Sequence, residues 1–382
     1  MPLPDSADEK WELQEHTAVK HEILQKYLTP WTQILSSGFD RVHYFDGFAG
    51  RGRYEDGEPG SPVLAMRAAD RHAENLEQFL CTFVELNDEN FQDLEAVVEE
   101  EEKNCTDKVQ VITENAKFED VVDDITADLD GEIIPSFFFV DPFGYEGMPF
   151  ETVADIINLR EEGVEVFLTY MVRDIRRFLT SEDHEDSITR ILGTDEWKQY
   201  KNTENKEEKI LKLYERQLRK EAGAEYVWPF EMKMPERSET VYYLIHATNH
   251  FKGFKVMKDI MFNAGAEDNF AYLGPDHYAY EDEQASIFDI TESADSRIED
   301  LADFLFDELE GENMTFFNVM KETYEETDLI EPHYRDAVKH LRDIGKATIH
   351  NCPDEYNGTI NGLGHDDWVE FERENHSLGS FK

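Results

Sequence analysis

The chain has 382 residues, with 86 acidic against 37 basic side chains and a formal net charge of −49 at neutral pH. That length suits two domains or three, and a composition 40% hydrophobic and 12% aromatic supplies a real core, which excludes wholesale disorder. Three cysteines exclude a disulfide scaffold. No apolar run approaches the ~18–20 residues of a membrane span, and the start is polar and partly acidic, so the sequence predicts no membrane contact, no secretory signal and a cytoplasmic location.

The acid runs through every segment, including the polar faces of prospective helices. An acidic surface on a globular chain is the halophile pattern, because at molar salt the Debye length is only ~3 Å and self-repulsion is screened. Phosphate binding at ordinary salt depends on basic residues. Read as habitat, however, the charge does not argue against a nucleic-acid substrate, and local basic clusters become more informative.

In chain order, an apolar stripe through Leu13, Ala18, Val19, Ile23, Leu24, Tyr27 and Leu28 predicts a helix over 11–31, ended by Pro30. Residues 42–45 read as a strand. Ser61 as N-cap and Pro62 in the first turn open a helix to about 72. Strands are expected at 79–86, 109–113, 136–140 and 164–170, with helices at 89–102, 118–129 and 149–160 between them. This alternation, with a strand as continuously apolar as 137–140, is what a parallel sheet covered on both faces requires. Residues 173–220 read as charged helix, 240–246 as a further strand and 253–262 as helix. Helices at 293–309, 315–325 and 332–344 then precede a strand at 345–350, with 358–360 as its hairpin partner, which is the order of a winged helix. The expected fold is α/β: a doubly wound Rossmann-like sheet with a C-terminal winged-helix-like module. The expected division is an N-terminal helical segment (1–35), a Rossmann-like domain (36–290) with a helical insertion at about 173–225, and the module (291–382).

Ligands of open α/β sheets bind outside the carboxyl ends of the strands. The first strand runs into Asp46-Gly47-Phe48-Ala49-Gly50-Arg51-Gly52, whose glycines let backbone amides approach a ligand. Glu85 closes the second strand, where a carboxylate can bind both ribose hydroxyls, and Asn115-Ala116 close the third, where an amide can pair with an adenine edge. Together they point to an adenosine ligand. NAD fits poorly, since its fingerprint starts the helix directly after the glycines, and the helix here begins only near Ser61. No Gly-Lys-Ser/Thr follows, which excludes a P-loop. S-adenosylmethionine needs no pyrophosphate site, and Asp46 can face its ammonium group. At the fourth strand, Asp141-Pro142-Phe143-Gly144 offers a carboxylate and a carbonyl to an acceptor amine, with Phe143 or Tyr145 to stack on a flipped base. Tyr54, Arg173 and Arg176 are the remaining candidate substrate contacts, the arginines as phosphate ligands or as partners of their own helix's acids, such as Asp174, Glu182 and Asp183. His246 and His250 lack a third ligand, and Cys81, Cys105 and Cys352 lie far apart, so no metal site is expected. His333, Tyr334, Arg335, Lys339, His340 and Arg342 mark the least acidic helix of the C-terminal module, which suits a recognition helix or a protein-docking face.

These motifs resemble the three-Cys-motif partner protein family (TcmP). The resemblance rests on Phe45 to Tyr54 with Gly60-Ser61-Pro62, on Val140 to Gly144, on His246 to Gly253, and on Lys20-His21-x-Ile23-Leu24-x-Lys26-Tyr27-Leu28. It covers nearly the whole chain. It implies a class I S-adenosylmethionine-dependent methyltransferase fold, an amino group of a DNA or RNA base as acceptor, and a radical-SAM-like three-Cys-motif protein as partner. Nucleic-acid amino-methyltransferases carry Asp-Pro-Pro-aromatic; here Phe143 stands for the second proline and Gly144 for the aromatic residue. A non-catalytic partner protein of the same fold is therefore the rival reading. A plain winged-helix regulator would explain only about the last 90 residues.

Overall fold

The computed structural model describes residues 14–127, 134–142, 148–161, 163–233, 240–265, 271–272, 287–350 and 362–373, with side chains left aside at Asp174 and at 287–295. The chain divides into two units, 1–277 and 278–382.

The first unit opens with helix α1 (Glu15–Leu35). Strands and helices then alternate: β1 (Arg41–Asp46), α2 (Ser61–His72), β2 (Gln78–Val84), α3 (Asp88–Glu102), β3 (Val109–Glu114), α4 (Phe118–Ala127), β4 (Ser136–Val140), α5 (Phe150–Asn158) and β5 (Val164–Tyr170). Helices α6 (Val172–Phe178), α7 (Glu185–Leu192) and α8 (Lys206–Lys220) lead to β6 (Tyr226–Lys233), β7 (Thr240–Thr248), α9 (Phe251–Ala264) and β8 (Ala271–Tyr272). The sheet order is β3-β2-β1-β4-β5-β7-β6-β8. Strands β1 to β5 are parallel, and β7 runs antiparallel between β5 and β6. The chain leaves β1 toward β2 on one side and returns to β4 on the other, so the strand order reverses between β1 and β4, where such sheets open a ligand crevice.

Alternation along the strands sorts the core into two layers. Phe45, Phe138, Val166 and Leu168 face α4 to α8 in one apolar cluster. Tyr44 and Phe137 face α1, whose Tyr27 and Trp31 rings lie 5.3 and 5.8 Å from that of Phe137.

Three local expectations are corrected. Pro30 does not end α1, which continues to Leu35. The fully buried Trp31 and a bond from Thr32 Oγ1 to the Leu28 carbonyl (2.7 Å) hold the last turn, which offsets the amide that proline lacks. The N-cap of α2 is Gly60; Ser61 is its first helical residue, buried. Strand β6 was not foreseen, since Pro229 argues against a strand. It is tolerated because, among the described residues, the outer edge of β6 is paired only at Glu231 and Met232.

The second unit contains α10 (Ile287–Leu309), β9 (Asn313–Thr315), α11 (Phe316–Thr323), α12 (Glu331–Asp343), β10 (Ala347–His350) and β11 (Trp368–Phe371). Its antiparallel sheet has the order β10-β11-β9. The hairpin partner expected at 358–360 lies outside the described residues; β10 pairs with β11 instead.

Candidate functional site

Asp46 follows Tyr44 on the α1-facing side of β1, and Asp141 follows Phe137 and Phe139 on the same side of β4. The two carboxylates therefore emerge at adjacent strand ends beneath the N-terminal half of α1. The loop after β1 is pinned to both neighbours. Gly47 N–H donates to the Phe139 carbonyl (3.0 Å), and Ala49 N–H to that of Val84 (2.9 Å). Gly50 N–H donates to Glu85 Oε2 (2.9 Å). The glycines are required for different reasons. A Cβ on Gly47 would lie 2.7–2.9 Å from the Phe118 ring, and Gly50 takes a φ of 61°, which side chains disfavour. Phe48 packs on that same Phe118 ring (6.1 Å between centroids), and Gly52 accepts from the Gly60 amide, closing the loop onto α2.

The other oxygen of the buried Glu85 accepts from the Asn87 amide (2.7 Å). Asn115 Nδ2 donates to the carbonyls of Glu85 (2.9 Å) and Leu86 (3.3 Å). The Asn115 donor is thus spent tying the β3 end to the β2 end, with Ala116 next in the chain. Leu86, the next residue, is 59% exposed.

Asp46 is fully buried. Oδ1 accepts from the Phe48 amide (3.2 Å), but Oδ2 has no hydrogen-bond partner among the described residues. Burial pushes its carboxyl up to about 7; the Ser61 side chain and the Phe48 amide pull it back only part way, and Asp141 and Glu85 add repulsion. Asp46 thus keeps one buried oxygen unpaired and has no cationic partner among the described residues.

Asp141 already holds one. Lys20 Nζ, from α1, forms an ion pair with Asp141 Oδ2. Burial is the largest single influence and would raise the Asp141 carboxyl, but the Lys20 charge and hydrogen bond, with smaller help from Thr169 and His21, together hold the group below the usual carboxylate range. Around this pair stand His21, whose imidazole burial and Lys20 push down to about 4; His16, lowered by burial and the same ammonium; Tyr54, its ring 5.8 Å from that of His21; and Tyr242 of β7, its ring centroid 5.6 Å from Lys20 Nζ. The Tyr54 phenol is raised by burial and by Asp141, so it stays a neutral donor. Pro142 is buried beside Asp141. Phe143, Gly144 and Tyr145 lie outside the described residues. Arg173 is half-buried near His16. Arg176 pairs with Glu207 of α8 (2.9 Å), an acid on another helix.

Two turns along α1 from Lys20, the Tyr27 hydroxyl donates to Glu165 of β5, which also bonds His246 Nε2 of β7 (2.8 Å). His246 is therefore part of a buried structural network. Among the described residues no group of three or more His, Cys, Asp or Glu could hold a metal.

His16, Lys20, His21, Tyr242 and Glu165 were not singled out as site residues from the sequence. The signal was there: Lys20 and Tyr27 lie seven residues apart, on one helix face, and a lysine on the buried stripe of an amphipathic helix needs a counter-charge.

In the second unit, Tyr334 is core, and His333 Nδ1 accepts the Ile330 amide (3.2 Å). The cations of α12 and its flank have acids of their own: Arg335 with Glu331, Lys339 with Asp336, Arg342 with Asp343, Lys346 with Asp303.

Strand order and direction, with β7 reversed between β5 and β6 and acids closing β1, β2 and β4, define a Rossmann-like fold of the class I methyltransferase kind. Residues 278–354 match the family model described as a GMT-like wHTH domain, so the chain carries a winged helix. Protein LPL1258 from Legionella pneumophila superposes with a TM-score of 0.37 at 14% identity, over 62% of this chain and 86% of that one. Trm1 from Pyrococcus horikoshii, solved with S-adenosyl-L-methionine, gives 0.37 at 11% identity over 64% and 57%. The O-methyltransferase from Bacillus cereus, in complex with SAH, gives 0.33 at 12% identity over 59% and 80%. No curated protein sequence matches the chain.

Proposed function

We propose that the chain is a methyltransferase of the three-Cys-motif partner type that uses S-adenosylmethionine and modifies an amino group of a nucleic-acid base. The observation that carries this is the convergence of Asp46, Glu85 and Asp141 at the ends of three adjacent strands, on the two sides of the switch point. The residues present suit that cofactor. Asp46 Oδ2 is an unspent buried acceptor for its ammonium group. Gly47, Phe48, Ala49, Gly50 and Gly52 keep backbone close. Glu85 retains lone pairs for ribose hydroxyls, and Leu86, the Asn115 carbonyl and Ala116 offer an adenine shelf.

When bound, S-adenosylmethionine supplies an electrophilic methyl group on a sulfonium. The chain's own part is orientation. Asp141 accepts a hydrogen bond from the acceptor amine and the Pro142 carbonyl accepts another, so the nitrogen lone pair is aimed and enriched; the amine proton then leaves to Asp141 or water. Phe143 or Tyr145 stacks on the base, and Tyr54, Arg173 and Arg176 line its approach. The winged helix adds a nucleic-acid or protein contact, a radical-SAM-like protein is the partner, and the acidic surface suits a high-salt cytoplasm.

A non-catalytic role is the second reading, favoured by the Lys20 ion pair on the acceptor carboxylate. A labelled-methyl assay on DNA and RNA pools separates the two. Transfer is expected with wild type and is lost, by at least about a hundredfold, in Asp141→Ala, while S-adenosylhomocysteine affinity stays within about twofold. Equal loss of transfer and affinity contradicts the role given to Asp141, and no transfer to any pool favours the second reading.

A further inference from the structure

Lys20 is only 5% exposed, and the Asp141 side chain it meets is 22% exposed. An ammonium is costly to bury unless it is paired, so the contact is a requirement of the fold at this point. Its bond goes to one oxygen, Asp141 Oδ2. A carboxylate has two oxygens and about four lone-pair sites, so Oδ1 stays available while Oδ2 is held. The helix that brings the ammonium is itself fixed two turns on, where Tyr27 joins the buried Glu165–His246 pair.

The other groups around Asp141 do not do the same work. His21, pushed down to about 4, is neutral at working pH, and His16 is lowered by burial, by Lys20 and by Arg173. Tyr44, Tyr54 and Tyr242 are phenols that burial keeps neutral. Thr169 of β5 adds a hydrogen bond, and Asp46 of β1 adds repulsion. Among the described residues Lys20 is the cation paired with Asp141. Asp46 shows what a buried carboxylate does at these strand ends without such a partner: it is raised to about 7.

We propose that Lys20 is a positioning residue for methyl transfer: by holding Oδ2 of Asp141 from α1, it fixes the carboxylate at the end of β4 and leaves Oδ1 to the acceptor amine. This rests on the methyltransferase reading and deepens it. The ion pair is then part of the acceptor site and not a plug in it. Lys20 also keeps the carboxylate charged, and a charged acceptor takes a shorter, stronger hydrogen bond from the amine than a neutral carboxyl does. Lys20 acts through Asp141 and touches neither methyl donor nor acceptor.

The test is the pH profile of the maximal transfer rate, in a labelled-methyl assay on the DNA or RNA pool that wild type modifies. Saturating S-adenosylmethionine removes the pH dependence of cofactor binding at Asp46. Wild type is expected to keep its rate within about twofold from about pH 8 to about 6. Lys20→Met is expected to lose about fivefold or more over that interval, because Asp141 without its cation protonates as Asp46 does. Lys20→Arg keeps the wild-type profile, and S-adenosylhomocysteine affinity at about pH 8 stays within about twofold in both variants. A merely structural lysine would scale the rate without tilting the profile. A Lys20→Met rate that is unchanged at both ends, or lost equally at both, therefore overturns the proposal. Should Lys20→Met not fold, Lys20→Gln, which keeps a hydrogen bond but brings no charge, gives the same reading. Transfer by wild type with parallel profiles sinks the role of Lys20 alone; no transfer by folded wild type to any pool sinks the methyltransferase reading and this proposal with it.

Discussion

Asp46 and Asp141 are the same residue type at the ends of neighbouring strands, yet their environments push them in opposite directions. Asp141 has Lys20 and is held ionised. Asp46 has no cationic partner among the described residues and is raised by burial from 3.8 to about 7. Folding of the ligand-free chain therefore takes up a proton at Asp46. That stabilising share is complete below about 4 and is lost as pH rises through about 7. Asp46→Asn should accordingly raise stability above pH 7 by about 2–4 kcal/mol, read by denaturant unfolding, while weakening S-adenosylhomocysteine binding. In wild type, affinity for that ammonium-bearing ligand should fall as pH drops below about 7, because the carboxylate protonates. A pH-independent affinity, or a destabilised Asp46→Asn, would show that Asp46 is not the cation seat. The sequence pointed to Asp46 and Glu85 through their places at strand ends. It did not show how much of Glu85 and Asn115 is already used by backbone groups, because loop hydrogen bonds depend on where β2, β3 and the glycine loop meet.

Helix α1 was legible as an element but not as part of the site. Its stripe gave Ile23, Leu24, Tyr27 and Leu28 correctly as core. Lys20 fell on the same face, yet which strand it would meet is a tertiary fact that periodicity does not contain. Glu165, the interior of an apolar strand, was equally silent until Tyr27 and His246 were placed against it. If this network fixes α1, Glu165→Ala should cost about 3–5 kcal/mol of unfolding free energy, because it leaves two buried polar partners unsatisfied, whereas Glu165→Gln should cost less. A change below about 1 kcal/mol for Glu165→Ala would mean that packing of Tyr27 and Trp31 alone holds the helix.

At the level of the molecule, the parallel part of the sheet was readable from strand–helix alternation, with β4 and β5 placed to the residue. The antiparallel end was not, because Pro229 masked β6 and long-range pairing fixes its partner. The winged helix was readable from three helices before a strand, but β9 is only three residues long and β11 follows a long connection, so neither left a periodic mark. Its α12 cations, each paired with a local acid, show why charge counting could not assign its partner. Exposed pairs of this kind contribute little and can open to a phosphate or to a protein acid alike.

The central claim is a cofactor site built from Asp46, the glycine loop and Glu85. The most direct measurement is calorimetric titration of S-adenosylhomocysteine into the purified chain in molar potassium chloride, beside Glu85→Ala shown to be folded by its thermal melting. A dissociation constant of about 1–100 μM that is lost in the variant is the predicted result. No binding to folded wild type, or equal binding by both proteins, would contradict it.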